Sequence, residues 1–516
     1  MSAQATFAES LTRRSSRYLE TVAACGPLPA LLVALGGVGI GFFLWYVAIT
    51  HVRLLEAGGD FTFVLAMAAG LLLSFGGWVA YAEYFAHRAG VGVVTALRWD
   101  SVSWAMLALF PAGTFLPLGL GAPARAAAVA AALFAFVKII VGSRFVQTVR
   151  DVLIIFIFTR ISIIAVAELA AAMIGQRAGL HVAESTNPLL AVWGRWDAVH
   201  YLDIAKNGYY GTDMAFFPLY PLLIRFVGTF VGNDLLAGMI VSNVAFFFGL
   251  LFCYKLVEHQ FDRAVAYRTV FYISIFPTAV FFSTVYTESL FFALTVASFY
   301  YIREHKWIAA GVLGGLAALT RVEGVLLFVP YVIEVFTSSG GVPWERRFSN
   351  QAERARVLAG AGLIPLGLAA YMAWLWVLRG DPLYFSHVQS HWNRHLAWPY
   401  ESVWHSIHAI AAAKIASTAS GQVIELFFTA LMIAIFFAGF RYLRPSLSAY
   451  MALSILVPMS TSSLMSMPRF ALVLFPMFII LALWGKRPWV NNAIVAFSLP
   501  LLGLFTVLFA DWYWVA

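Results

Sequence analysis

Along the 516-residue chain, runs of about 20 apolar residues recur at even spacing, divided by short polar or charged segments. As a helix rising 1.5 Å per residue, such a run crosses a hydrocarbon core roughly 30 Å thick. The pattern therefore predicts an all-α polytopic integral membrane protein with about 15 transmembrane helices. Spans are expected near 28–50, 62–84, 101–120, 124–142 and 150–174. Further spans are expected near 235–257, 266–282, 285–302, 307–320, 322–337, 357–378, 422–441, 446–463, 468–485 and 489–510. Two long polar segments, 175–230 and 379–421, interrupt the series. Both exceed the two to eight residues that usually join helices in a bundle, which predicts that they build a site.

Composition agrees with a membrane location. Hydrophobic residues make up 62% of the chain, against about 45–50% in soluble domains. The formal charge of +8 reflects topology and gives no support for a nucleic-acid partner, because arginines gather in alternate loops. Arg13, Arg14 and Arg17 place the N-terminus on the cytoplasmic side, and this puts 175–230 and 379–421 outside. The first 26 residues are polar and precede a run long enough to span, so no cleavable signal peptide is expected. Cys25 and Cys253 offer neither a disulfide framework nor a metal cluster.

Only 11% of residues are charged, yet Trp193–Pro221 holds Arg195, Asp197, Asp203, Lys206 and Asp213, with His200 and Tyr201 among them. A helix over 196–205 puts Asp197, His200 and Asp203 on one face and Tyr201 one turn from Asp197. Asp197 is the candidate general base; the plainer reading is a helix cap or a salt bridge to Arg195. Asp203 is a second carboxylate or a partner for Lys206. A divalent metal on Asp197, His200 and Asp203 is an alternative, although the set lacks a tight ligand pattern. The proline-interrupted Phe216–Pro221 suits the membrane interface.

Other polar turns break the apolar runs. Ser283–Ser289 carries Glu288, Leu319–Gly324 carries Arg321 and Glu323, and Ser466–Phe470 carries Arg469 with no acidic neighbour in sequence. Such turns either contact substrate or only satisfy their own backbone. An arginine without a sequence-local partner favours an anionic group such as phosphate. Between Phe385 and His395 lie Gln389, His391, Trp392 and Asn393, the amide and aromatic mixture that suits a sugar or an interfacial belt. His387, His391 and His395 recur every four residues, so a zinc clip is weighed there too. Arg98-Trp99-Asp100 echoes Arg195-Trp196-Asp197 but falls on the cytoplasmic side, as an inner-loop anchor.

The stretches R-W-D-A-V-H-Y-L-D-I-A-K-N-G-Y and A-F-F-P-L-Y-P-L-L-I-R, followed by V-Y-T-E-S-L-F, L-T-R-V-E-G and H-V-Q-S-H-W-N, resemble the PIG-V-like mannosyltransferase family. The excess of arginine over lysine points to a prokaryotic relative. The resemblance covers about 150–485 and implies a GT-C glycosyltransferase fold. Residues 150–516 would then form the catalytic core, with 1–149 a four-span extension of unassigned role. It further implies an inverting transfer from a polyprenyl-phosphate sugar, mannose by family name, to a hydroxyl of a glycolipid, glycan or protein acceptor. Asp197 maps onto the family's acidic loop residue as base, with Arg469 or Arg321 on the lipid phosphate. Arg195, His200, Tyr201, Asp203, Glu288, Arg321, Gln389, His391, Trp392 and Arg469 are the expected substrate-binding residues. No cofactor is expected. The site would face outward from a bacterial plasma membrane, or the ER lumen in a eukaryote. The alternative is a lipid-linked sugar or polysaccharide transporter, suggested by Arg160 and Glu168 within a span.

Overall fold

A computed structural model describes residues 146–174, 188–337, 350–392, 394–413 and 420–515. The spans expected before residue 146, the Arg98-Trp99-Asp100 motif and most of the 1–149 extension lie outside the described residues. Regular structure among the described residues is helical, apart from one isolated antiparallel bridge between Leu396 and Thr461. Arg150–Gly228 and Asp234–Ala516 together form one compact unit.

Five described helices are long and apolar enough to cross a membrane: Thr148–Met173, Asp234–Gln260, Gln351–Arg379, Ser420–Tyr442 and Pro488–Ala510. Met467–Val473 and Phe475–Trp484, bent by 70° at Leu474, count as a sixth if taken together. The expected spans 266–282, 285–302, 307–320, 322–337 and 446–463 are instead shorter helices. These are Arg263–Ser274, Glu288–Arg303, Trp307–Ala318, Phe328–Thr337 and Pro445–Met459, of 10 to 16 residues. At 1.5 Å per residue they reach only about 15–24 Å. Hydroxyl-rich turns and 3₁₀ segments at Ala279–Phe282 and Val322–Leu327 interrupt the helical backbone where the sequence stays largely apolar.

Backbone groups freed at such breaks need internal partners. Arg160 supplies several of them. Its Nη1 donates to the carbonyl of Ala279 (3.0 Å) and to Ser283 Oγ (3.1 Å), and its Nη2 to the carbonyl of Ser274 (3.1 Å). Glycine allows the closest helix contact. A Cβ on Gly311 would collide with the Gly360 carbonyl, and one on Gly367 with the backbone of Gly315. Trp307–Ala318 therefore lies backbone to backbone against Gln351–Arg379.

Pro218 and Pro221 fall just before and inside the first turn of the 13-residue helix Leu219–Val231, where no intrahelical N–H is needed. The helix carrying the candidate base runs Asp197–Asn207 and ends at Gly208, whose φ is 87°.

Candidate functional site

The approach to Asp197 is held from behind. Trp193 is buried and donates from Nε1 to Glu168 Oε1 (3.0 Å). Arg195 is buried over the Trp512 ring at 5.2 Å, and burial pushes its pKa down to about 10 against the opposing pull of Asp511 and Glu168. Trp196 has φ 58°, a conformation that strains a bulky residue by about 1–3 kcal/mol, and its ring packs against Trp512 and Trp514. The Tyr286 hydroxyl spans this kink, accepting from the Asp197 N–H (3.2 Å) and donating to the Arg195 carbonyl (3.1 Å). The turn Ser283–Ser289 thereby fixes where the helix begins.

From Asp197 a chain of alternating charges runs inward to Glu288 and back out to Glu323. Arg469 Nη1 meets Asp197 Oδ2 at 2.6 Å, and Arg469 Nε meets Glu288 Oε1 at 2.7 Å. The same Glu288 oxygen accepts from Arg321 Nη1 at 2.8 Å, and Arg321 Nε lies 3.5 Å from Glu323 Oε2. Exposure is lowest at the middle of the chain: the Asp197 side chain is 27% exposed, that of Arg469 6% and that of Glu288 0%, and it rises again to 12% at Arg321 and 14% at Glu323. Aromatic faces cover both cations, with Arg469 4.7 Å from the Tyr286 centroid and Arg321 5.0 Å from that of Phe470. The chain connects residues up to 272 apart in sequence.

Asp197, Arg469, Arg321 and Glu323 face a cavity of about 740 Å³, inside the roughly 300–1,000 Å³ usual for ligand sites. One wall is aromatic. His200 stacks on Phe216 at 4.6 Å, Trp392 stands edge-on to Phe216 at 6.1 Å, and Tyr201 packs edge-on to the same ring at 5.1 Å. His200 Nδ1 is 2.8 Å from Asp213 Oδ1. Burial holds the Tyr201 phenol well above its ordinary pKa, so it stays protonated. Gln389, Ser386 and Thr461 bring neutral hydrogen-bonding groups to the cavity, and Arg321, Arg394 and Arg469 bring cations.

Of the residues expected from sequence, Asp197, His200, Tyr201, Arg321, Gln389, Trp392 and Arg469 line this cavity, whereas Arg195, Asp203, Glu288 and His391 do not. Arg195 is a buried support. Asp203 accepts from Asn207 Nδ2 at 2.6 Å along its own helix, and Glu288 lies beneath the floor as the anchor of two arginines. Asn393 lies outside the described residues. Of the residues weighed for a metal, Asp197 and His200 line the cavity and Asp203 does not, and His200 is engaged by Asp213. His387 Nδ1 pairs with Asp381 Oδ2 at 2.7 Å. Among the described residues no group of three or more His, Cys, Asp and Glu is placed to hold a metal ion.

Several cavity residues carry too little local signal to be chosen from sequence. Phe216 reads as one more apolar residue, and Arg394 reads as one of several basic residues in the outer segment 379–421. Trp514 falls beyond the last apolar run. Tyr286 has the clearest unused signal, as a phenol inside the same polar turn as Glu288.

Residues 135–336 match the family Mannosyltransferase (PIG-V). Curated relatives include GPI mannosyltransferase 2 of Schizosaccharomyces pombe, 31% identical over 27% of this chain and 31% of the relative. Another is GPI alpha-1,6-mannosyltransferase 2 of Mus musculus, 32% identical over 27% of this chain and 30% of the relative. The matched region thus spans about a third of these relatives. Among solved structures, ArnT from Cupriavidus metallidurans bound to undecaprenyl phosphate aligns with a TM-score of 0.41 and 12% identity, over 69% of this chain and 75% of that one.

Proposed function

We propose that this chain, PIG-V-like over residues 135–336, is an integral-membrane glycosyltransferase of the GT-C type. It moves a sugar, mannose by family, from a polyprenyl-phosphate donor to an acceptor hydroxyl on the non-cytoplasmic face. The observation that carries this reading is the partly exposed Asp197 carboxylate at the cavity surface, tethered through one oxygen by the buried Arg469. The tether leaves the other oxygen for an acceptor hydroxyl.

In the proposed step, Asp197 takes the hydroxyl proton as the acceptor oxygen bonds to the anomeric carbon. The bond from that carbon to the phosphate oxygen breaks, and its electron pair leaves with the lipid phosphate. Attack from the face opposite the leaving group inverts the anomeric centre. The Phe216, His200 and Trp392 wall offers ring faces to sugar C–H groups, and Gln389 and Ser386 offer partners to hydroxyls. Acceptors of this chemistry include a glycolipid, a glycan or a protein. No step calls on a cofactor. Arg160 and Glu168 bear on the transporter alternative: they hold backbone carbonyls, Ser283 and Trp193 beside the site, which gives each a structural role in the frame of the site.

The test is transfer of radiolabelled mannose from synthetic polyprenyl-phosphate-mannose by the purified protein, with membrane lipid extract as acceptor. Asp197→Asn should stay folded and lose at least about a hundredfold in rate, the size of losing a general base. Transfer at the wild-type rate would remove Asp197 from that role. Retention of the donor's anomeric configuration in the product would refute single displacement.

A further inference from the structure

Three arginines line the cavity, and their surroundings differ. Arg469 is held by Asp197 and Glu288, and Arg321 by Glu288 and Glu323. Arg394 forms no ion pair among the described residues. Its Nη2 reaches only Thr461 Oγ1, at 3.5 Å, and its Nε is buried without a hydrogen-bond partner. Arg394 is half-buried, and the carboxylates of Glu323 and Glu425 act on it only from beyond ion-pair distance, so its fork of unused donors is left to match a phosphate.

The backbone around Arg394 is built in place. Its own N–H donates to the Gln389 carbonyl (3.2 Å), Ser462 N–H donates to the His395 carbonyl (2.9 Å), and Ala397 N–H donates to the Ser460 carbonyl (3.2 Å). The Leu396–Thr461 bridge closes the same pairing. The surface beside it is apolar and open: Leu396 is 83% exposed, and Val457 and Pro458 join it in lining the cavity. A free anion has no use for that surface, whereas an isoprenoid chain does.

We propose that Arg394 is the phosphate-binding residue for the lipid donor and for the lipid phosphate that leaves, with Leu396, Val457 and Pro458 receiving the first isoprenoid units. This rests on the glycosyltransferase reading for the ligand's class and reassigns the phosphate from Arg469 and Arg321 to a different residue. Burial opposes the charged form of Arg394, the Glu323 and Glu425 carboxylates offset only part of that, and a bound phosphate would offset more.

The experiment measures binding of decaprenyl phosphate, and separately of inorganic phosphate, to the purified full-length chain in detergent. Wild type and Arg394→Gln are compared, and the melting temperature of each free protein is recorded. Arg394→Gln should bind decaprenyl phosphate about tenfold or more weakly, the size of losing charge-assisted hydrogen bonds, with an unchanged melting temperature. Arg394→Lys should recover part of the affinity. Equal affinity of wild type and Arg394→Gln for decaprenyl phosphate would overturn the assignment. So would wild-type binding of inorganic phosphate as tight as that of the lipid, which would point to a free anion. If the wild type binds the lipid through Arg394 yet transfers no sugar, the phosphate site stands and the transferase reading falls. If transfer is normal and does not depend on Arg394, the transferase reading stands and the phosphate site falls.

Discussion

Replacing Glu288 with glutamine separates the anchor from the chemistry. Glu288 is fully buried, and one of its oxygens accepts from both Arg469 and Arg321. Glutamine keeps the shape and an acceptor oxygen but removes the charge between two buried cations. Breaking a buried ion pair by removing one partner costs about 3–5 kcal/mol. The low end applies here, because Arg469 keeps Asp197 at 2.6 Å and Arg321 keeps Glu323 at 3.5 Å. With an unfolding entropy of about 2.1 cal/mol/K per residue, a loss of about 3 kcal/mol in this 516-residue chain lowers the melting temperature by roughly 3 °C. Asp197→Asn makes the same chemical change at a side chain 27% exposed, where a lost ion pair is worth only about 1 kcal/mol. Intrinsic tryptophan fluorescence of both variants during heating in one detergent gives the comparison. Transfer by Glu288→Gln is then read well below its own melting temperature. A Glu288→Gln protein as stable as wild type, or one destabilised no more than Asp197→Asn, would refute the view that this carboxylate anchors the charge chain.

Two further predictions concern the frame around the site. Gly311→Val drives a branched side chain into the Gly360 carbonyl and should destabilise by about 1–3 kcal/mol or block folding, seen as a lower melting temperature or loss of monodisperse protein on a sizing column. Arg160→Met keeps the buried stem and removes the donors to Ala279, Ser274 and Ser283, leaving buried acceptors unmet at about 1–3 kcal/mol each. It should accelerate proteolysis within 274–283, and wild-type protection there would contradict the role assigned to Arg160.

How much of this is readable in the sequence depends on the range of the interaction. The helix from Asp197 is legible because its polar residues recur on a helical period within eleven positions. The membrane class is legible because hydropathy sums over a window. The pairing of Arg469 with Asp197, 272 residues away, is not, since nothing near Arg469 in sequence names its partner. That same lack of a neighbouring acid suggests a phosphate for Arg469, and the fold supplies two carboxylates instead. Arg394 has no acidic neighbour in sequence either, and what distinguishes it from the other two cavity arginines is that the fold brings no carboxylate into ion-pair contact with it. The helix breaks are hidden because apolar residues continue through Ala279–Phe282, so hydropathy cannot see where the hydrogen-bond ladder stops.

Those breaks and the charge chain answer the same physical problem. Irregular backbone at membrane depth persists only where protein or a polar cavity satisfies it. A carboxylate or guanidinium buried beneath such a cavity is strongly destabilising when left without a partner. In this chain the partners come from the breaks themselves: the turn after Ala279–Phe282 supplies Ser283 to Arg160, Tyr286 to the Asp197 backbone and Glu288 to two arginines. The bend at Leu474 follows the short helix that brings Arg469 to Asp197. Straight spans would leave these groups on separate helix faces, so the interrupted architecture is what brings the Asp197 carboxylate to the edge of the cavity with Arg469 behind it.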